Sequence, residues 1–130
     1  MKMKSVKQVA NFKTTPHEVY EALMDEGKHA AFTGGKAIIS RYAGGTFSTF
    51  DGYAEGITEE LVADRKIVQT WRASDWPEGH YSRVTFELSQ VPGGTRLAFT
   101  QEGVPEEHCE RTEQGWRESY WTPMKEMLEK

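Results

Sequence analysis

Hydrophobic and polar residues alternate along much of the chain, which is the spacing of strands with one buried face. In residues 4–13 this pattern places Val6, Ala10 and Phe12 on one side. Because short turns join antiparallel neighbours, the pattern predicts an antiparallel sheet of about seven strands. The further predicted strands are residues 37–42, 46–50, 53–62, 66–74, 81–89 and 95–102.

Two turns are marked by their residue types. Asp51-Gly52 is a two-residue hairpin signal between the strands at 46–50 and 53–62. Pro92-Gly93-Gly94 predicts the turn of the final hairpin.

Two short helices are predicted between the first strand and the rest of the sheet. Thr15 is suited to cap a helix, Pro16 suits its first turn and Glu18 is placed to complete a capping box. This helix should end near residues 25–27, and a second one should cover residues 28–32.

The C-terminal region predicts a longer helix with Pro105 in its first turn. Gly115 weakens this helix, and Pro123 removes one backbone hydrogen bond, so we expect a bend near Ser119. One face of the helix repeats at steps of three and four residues: Cys109, Glu113, Trp116, Tyr120, Met124 and Met127.

The helices must cover one face of the sheet, because no other element can bury it. The composition is 37% hydrophobic and 12% aromatic, so large rings meet at this interface. They either fill the space between helix and sheet or line a cavity there. The candidate cavity-lining residues are Trp71, Phe86, Phe99, Trp116, Tyr120 and Met124.

Charge and length narrow the classes of function. The net charge is −4, which argues against a nucleic-acid partner, and the only basic cluster, Lys2, Lys4 and Lys7, suits an exposed sheet edge. We expect no membrane span and no signal peptide, because no long apolar segment occurs. Cys109 is the only cysteine, so it forms no internal disulfide. We therefore predict a single domain over residues 1–130 in the cytoplasm.

Catalytic and metal-binding patterns are missing from the sequence. The four histidines, His17, His29, His80 and His108, lack ligand spacing, and no nucleophile motif occurs. We therefore expect no cofactor, no metal and no catalytic residue. Six polar residues could enter a cavity, although strand alternation favours a position facing solvent: Arg41, Gln69, His80, Arg83, Glu87 and Gln101.

Several short sequence motifs occur in one order along the chain, and their combination is specific for one family. They include Thr15-Pro16-x-Glu18-Val19-Tyr20, Gly44-Gly45-x-Phe47, Phe50-Asp51-Gly52, Trp76-Pro77-Glu78-Gly79-His80, Gly103-Val104-Pro105, Gln114-Gly115-Trp116 and Tyr120-Trp121-x-Pro123-Met124-Lys125. In these motifs the chain resembles the activator of heat-shock protein 90 ATPase homologue family. That family lies within the helix-grip superfamily, which includes the START domains and the birch-pollen allergen.

The resemblance implies a helix-grip fold and a heat-shock protein 90-type chaperone as partner. In eukaryotic activators the related domain is the C-terminal half, and 130 residues leave no room for the separate N-terminal domain. Three hypotheses follow: a non-catalytic chaperone-binding domain, a carrier or sensor of a small hydrophobic ligand, and a cyclase- or hydrolase-type enzyme. The signature loop Trp76-Pro77-Glu78-Gly79-His80 is expected to be structural, shaped by Pro77 and Gly79 and anchored by Trp76.

Overall fold

Seven strands form one antiparallel sheet in the computed structural model, which describes residues 2–129. Their order across the sheet is β1-β7-β6-β5-β4-β3-β2, so β2 to β7 form a meander and β1 extends it beside β7. The strands are β1 (Met3–Phe12), β2 (Ile38–Ile39), β3 (Thr46–Thr49), β4 (Ala54–Val62), β5 (Lys66–Ala73), β6 (Ser82–Val91) and β7 (Gly94–Pro105).

Two helices separate β1 from β2. The first, α1 (Pro16–Met24), begins at Thr15, whose Oγ1 accepts a hydrogen bond of 3.3 Å from the Glu18 amide. The second, α2 (Glu26–Thr33), ends at Gly34, whose φ of 80° is in the left-handed region that glycine adopts without strain.

The chain after β7 is helical but changes its geometry twice. A 3₁₀ turn (Glu106–His108) leads into α3 (Cys109–Trp116), a π-helical turn (Arg117–Trp121) follows, and α4 (Thr122–Leu128) completes the segment. We refer to residues 109–128 as the C-terminal helix. It packs on the inner face of the curved sheet, where Trp116 lies 4.4 Å from Phe99 between ring centroids. This confirms the predicted helix-grip arrangement.

A π-helical turn lies near Ser119, where the sequence predicts a bend. Pro123 has no amide hydrogen, so the ordinary bond to the carbonyl four residues earlier is missing. Just before it, the Thr122 amide donates to the carbonyl of Arg117, five residues earlier. This wider turn lets two successive side chains, Tyr120 and Trp121, both be buried.

The predicted strand at 37–42 and the predicted two-residue turn are both wrong in extent. Only Ile38–Ile39 is a strand, because the chain turns back to bond β4 through the Gly44 amide and the Thr58 carbonyl. The turn after β3 has four residues, 50–53. Asp51 makes two hydrogen bonds to the segment that follows α2. Its carboxylate accepts from the Lys36 amide, and its own amide donates to the Lys36 carbonyl.

The predicted helix start at Pro105 is also wrong. Pro105 ends β7, where it lies opposite Met3, and the first helical residue of α3 is Cys109. The edge strand explains the shift: the Glu106 amide donates to the Lys2 carbonyl, so the pairing of β1 with β7 holds this segment extended.

Candidate functional site

A cavity of about 330 Å³ lies between the C-terminal helix and the turn that joins β3 to β4. Trp71, Trp116 and Tyr120 form its buried aromatic walls. Thr49 and Ala54 lie beside them on the sheet. The half-buried edge of the C-terminal helix closes the remaining side with three small or polar residues: Thr112, Gly115 and Ser119.

The cavity opens to the surface at Phe50, Tyr53 and Arg111, of which Tyr53 is 41% exposed. Arg111 is held at this opening by Asp75, at 3.3 Å between Nη2 and Oδ2. Burial and the nearby Asp75 carboxylate raise the pKa of Tyr53, so its phenol stays neutral. Among residues 2–129, the only charged side chain that lines the cavity is therefore Arg111, which pairs with Asp75.

We call His29, Thr49 and Tyr120 the inner polar cluster. Thr49 and Tyr120 line the inner end of the cavity, whereas His29 contacts the Tyr120 hydroxyl without lining the cavity. His29 Nε2 lies 2.9 Å from the Tyr120 hydroxyl. Among residues 2–129, neither His29 Nδ1 nor Thr49 Oγ1 has a hydrogen-bond partner, although both side chains are only 3% exposed. Buried polar atoms are usually paired, so these two call for a physical explanation.

Burial fixes the charge state of the inner polar cluster. It lowers the pKa of His29 to about 4, so the imidazole is neutral near pH 7. It also raises the pKa of Tyr120, an effect that the neighbouring Thr49 hydroxyl opposes only in part. That hydroxyl is near the phenol but outside good hydrogen-bond geometry. The cluster is therefore polar and uncharged.

A second, smaller void continues from the inner end. It shares Thr49, Trp71, Trp116 and Tyr120 with the main cavity, and its volume of about 20 Å³ suits roughly one water molecule. His29 also borders this void.

The six predicted cavity-lining residues lie in three places. Trp71, Trp116 and Tyr120 line the main cavity. Phe86 lines the smaller void, whereas Phe99 and Met124 are packed in the core, away from both linings.

A second buried polar group, the glutamine network, is fully paired. Trp116 Nε1 donates to Gln101 Oε1 at 2.8 Å, Gln101 Nε2 donates to Ser82 Oγ, and Ser82 Oγ donates to the Trp71 carbonyl. The expectation that polar strand residues face solvent is therefore wrong for Gln101, and also for Gln69, which donates to Thr58 Oγ1. Paired amides can be buried at little cost.

The other polar candidates do not enter the cavity. Arg83 and Glu87 are exposed on the outer face of the sheet, and Arg41 is exposed beside Glu21. His80 Nε2 donates to the Gly103 carbonyl oxygen at 2.8 Å. Within residues 2–129, no group of three or more His, Cys, Asp or Glu side chains is close enough to hold a metal ion.

The signature loop supports the cavity from outside. Trp76 packs edge-on against the cavity wall Trp71, with 5.3 Å between ring centroids. Arg72 donates to the carbonyls of Trp76 and Pro77, and Gly79 has a φ of 76°. Glu78 is exposed. These contacts give the loop a clear part in holding Trp71.

Sequence reasoning missed His29 and Thr49 as site residues. A usable signal was present for His29, because it lies three positions before the buried Phe32 on one helical face. Thr49 follows the buried Phe47 at the two-residue period of β3. Neither spacing shows that the polar atoms would be unpaired.

No helix among the described residues is long and apolar enough to cross a membrane.

Comparison with known proteins gives consistent matches. Residues 13–129 match the family described as "Activator of Hsp90 ATPase homolog 1-like protein". The human "Activator of 90 kDa heat shock protein ATPase homolog 1" is 35% identical over 115 residues. That alignment covers 88% of this chain and 34% of the human protein. The chain thus spans about a third of the length of the curated relatives it matches.

Solved structures show the same fold over the whole domain. The crystal structure of an HSP90 activator from Plasmodium falciparum has a TM-score of 0.89 and 27% identity, covering 96% of each chain. A protein from Chromobacterium violaceum has a TM-score of 0.82 at 23% identity, covering 97% of each chain, which supports the fold alone. The chain therefore belongs to the family of proteins like activator of Hsp90 ATPase homolog 1, and its fold is the helix-grip fold.

Proposed function

We propose that this protein is a non-catalytic binding domain whose partner is an Hsp90-type chaperone. The observation that carries the proposal is the match to the Plasmodium falciparum HSP90 activator, which covers 96% of both chains. The chain in that structure is described as an HSP90 activator and matches this chain over nearly its whole extent. The proposal requires a shared compartment with the chaperone, for which the sequence predicts the cytoplasm.

The absence of converging reactive groups in the cavity supports binding rather than catalysis. The described residues that line the cavity include one cation, Arg111, which is already paired with Asp75 at the opening. The inner end holds only neutral groups. General acid–base catalysis needs a group whose pKa lies near the working pH, and neither His29 nor Tyr120 meets this condition.

The direct test measures two quantities with the Hsp90-type chaperone of the same organism: complex formation by calorimetry, and ATP turnover. We expect a complex and a changed rate of turnover. If no association occurs at tens of micromolar protein, the chaperone proposal is refuted.

Two charge-reversed variants locate the contact. Glu107→Lys with Glu110→Lys changes the exposed side of the C-terminal region, and Glu87→Lys with Glu102→Lys changes the outer face of the sheet. Both alter the net charge equally, so each is the matched control of the other. A specific complex should be weakened much more by one variant than by the other, whereas equal weakening would indicate general electrostatic attraction.

A second candidate function is the carriage or sensing of a small hydrophobic molecule in the cavity. The observation in its favour is the open, aromatic-walled volume of about 330 Å³, at the lower end of the range of small-molecule sites. Native mass spectrometry of freshly purified protein should then show added ligand mass. A protein that carries no ligand and accepts no aromatic compound would contradict this candidate.

A further inference from the structure

We infer that the cavity binds a neutral, flat, mainly apolar molecule with one acceptor oxygen, which reaches the inner polar cluster. This rests on the second candidate function and specifies its ligand. The ligand's rings would lie between Trp71, Trp116 and Tyr120, and its oxygen would approach Thr49. The chemical class is a bicyclic alcohol, phenol or ketone.

The inner polar cluster has unused hydrogen-bond donors. Neutral His29, Tyr120 and Thr49 each carry one polar hydrogen. The single bond between His29 and Tyr120 uses one of them, and the Thr49 hydroxyl has no partner among the described residues. Thr49 lines the cavity, so a molecule bound there lies next to its side chain. A ligand oxygen that accepts there pairs a hydroxyl that has no hydrogen-bond partner among the described residues.

The same cluster selects against a charged ligand. A carboxylate placed at the inner end would lose its hydration, and the described residues there offer no cation in return. The nearest cation of the lining, Arg111, lies at the opening and is already bound to Asp75. Selectivity for a neutral oxygen therefore follows from the position of the charges.

Gly115 keeps the space of the cavity open, because it has no side chain. It lies within α3, where glycine is a weaker helix former than alanine. A side chain at this position would meet no atom within 4 Å, so no close contact requires the glycine. It lines the cavity, and any larger side chain would occupy part of the space for a ligand.

The cavity has about twice the volume of an apolar cavity that binds benzene. Because benzene has six non-hydrogen atoms, the same volume for each atom gives a ligand of about twelve or thirteen. A two-ring molecule fits this range, and the aromatic walls favour stacking.

The test compares three probes of matched shape by NMR titration of the full chain: naphthalene, 2-naphthol and 2-naphthoate. We expect 2-naphthol to bind about tenfold more tightly than either of the others. Thr49→Val keeps the shape of the side chain and removes the hydroxyl, so it should lower the affinity for 2-naphthol about tenfold and leave naphthalene unchanged.

A second variant distinguishes this inference from the candidate function on which it rests, the binding of a small hydrophobic molecule. Gly115→Leu fills the cavity, so it should abolish binding of all three probes. Equal binding of naphthalene and 2-naphthol, unaffected by Thr49→Val, would overturn the neutral-oxygen inference while retaining a hydrophobic cavity. Failure of every probe to bind the unmodified protein would overturn both, and preference for 2-naphthoate would assign recognition to Arg111 instead.

Discussion

Two buried polar groups lie on either side of Trp116, and they differ in one respect. The glutamine network, which joins Trp116 to Gln101 and Ser82, pairs its polar side-chain atoms. The inner polar cluster around His29 and Thr49 leaves two atoms unpaired. A paired network stabilises the fold, whereas buried polar atoms without partners cost stability. This contrast supports the proposal that the second group binds a ligand oxygen.

The largest effect is expected from removing Trp116, which belongs to the glutamine network and packs against Tyr120 of the inner polar cluster. Trp116 is 3% exposed and contacts the rings of Phe99 and Tyr120 at 4.4 and 4.5 Å. Trp116→Ala should therefore lower the free energy of unfolding by about 3–5 kcal/mol, measured by urea denaturation. A loss below about 1.5 kcal/mol would contradict the assignment of this ring to the packed core.

The next effect depends on pH and tests the inner polar cluster. The pKa of His29 is about 4 in the folded protein and 6.5 ordinarily. Above pH 6.5 the ring is neutral in both states, and between pH 6.5 and 4 only the unfolded chain binds the proton. The free energy of unfolding should therefore fall by about 3 kcal/mol as the pH falls through this window.

His29→Gln is the control, because glutamine does not titrate. Denaturation of both proteins at several pH values should show a steeper fall for the unmodified chain. Parallel curves would show that His29 takes up a proton without opposing folding.

Breaking the glutamine network should have a smaller but definite effect. Gln101→Leu removes the acceptor of Trp116 Nε1, which stays buried without a partner. We expect a loss of about 1–3 kcal/mol in the free energy of unfolding, measured by urea denaturation. No loss would indicate that the indole finds a new acceptor.

The smallest effect on stability is expected from removing a polar side-chain group from the inner polar cluster. Thr49→Val removes a hydroxyl that has no partner, so it should leave the free energy of unfolding unchanged or raise it by up to about 1 kcal/mol. Thermal denaturation of Thr49→Val and Gln101→Leu under the same conditions compares the two losses of stability directly. If both variants lose the same stability, the two groups do not differ in the way described above.

Much of the fold could be predicted because its signals are local. Alternation gave the strands, and Thr15 with Pro16 gave the start of α1, where the capping bond is present. The limits of β2 and the turn after β3 could not be predicted, because they depend on distant partners. Asp51 is fixed by Lys36, fifteen positions away, and a hairpin signal contains no information about that contact.

The aromatic part of the site could be predicted, but its polar part could not. Trp71, Trp116 and Tyr120 follow from periodicity, since large rings on an inward face are expected to meet. Periodicity assigns a face to Gln101 but cannot show that Ser82 and Trp116 will pair its amide. It also cannot show that Thr49 will lack a partner, because pairing depends on the positions of atoms on several elements.

The pairing of β1 with β7 has a consequence for synthesis on the ribosome. Met3 pairs with Pro105 and Phe12 with Thr95, so the partners are 83 to 102 positions apart. At ordinary rates of translation, β1 waits roughly 4–20 s for its neighbour. During that time its inward side chains are uncovered, and the lysines along the strand are the charges that discourage pairing with another nascent chain.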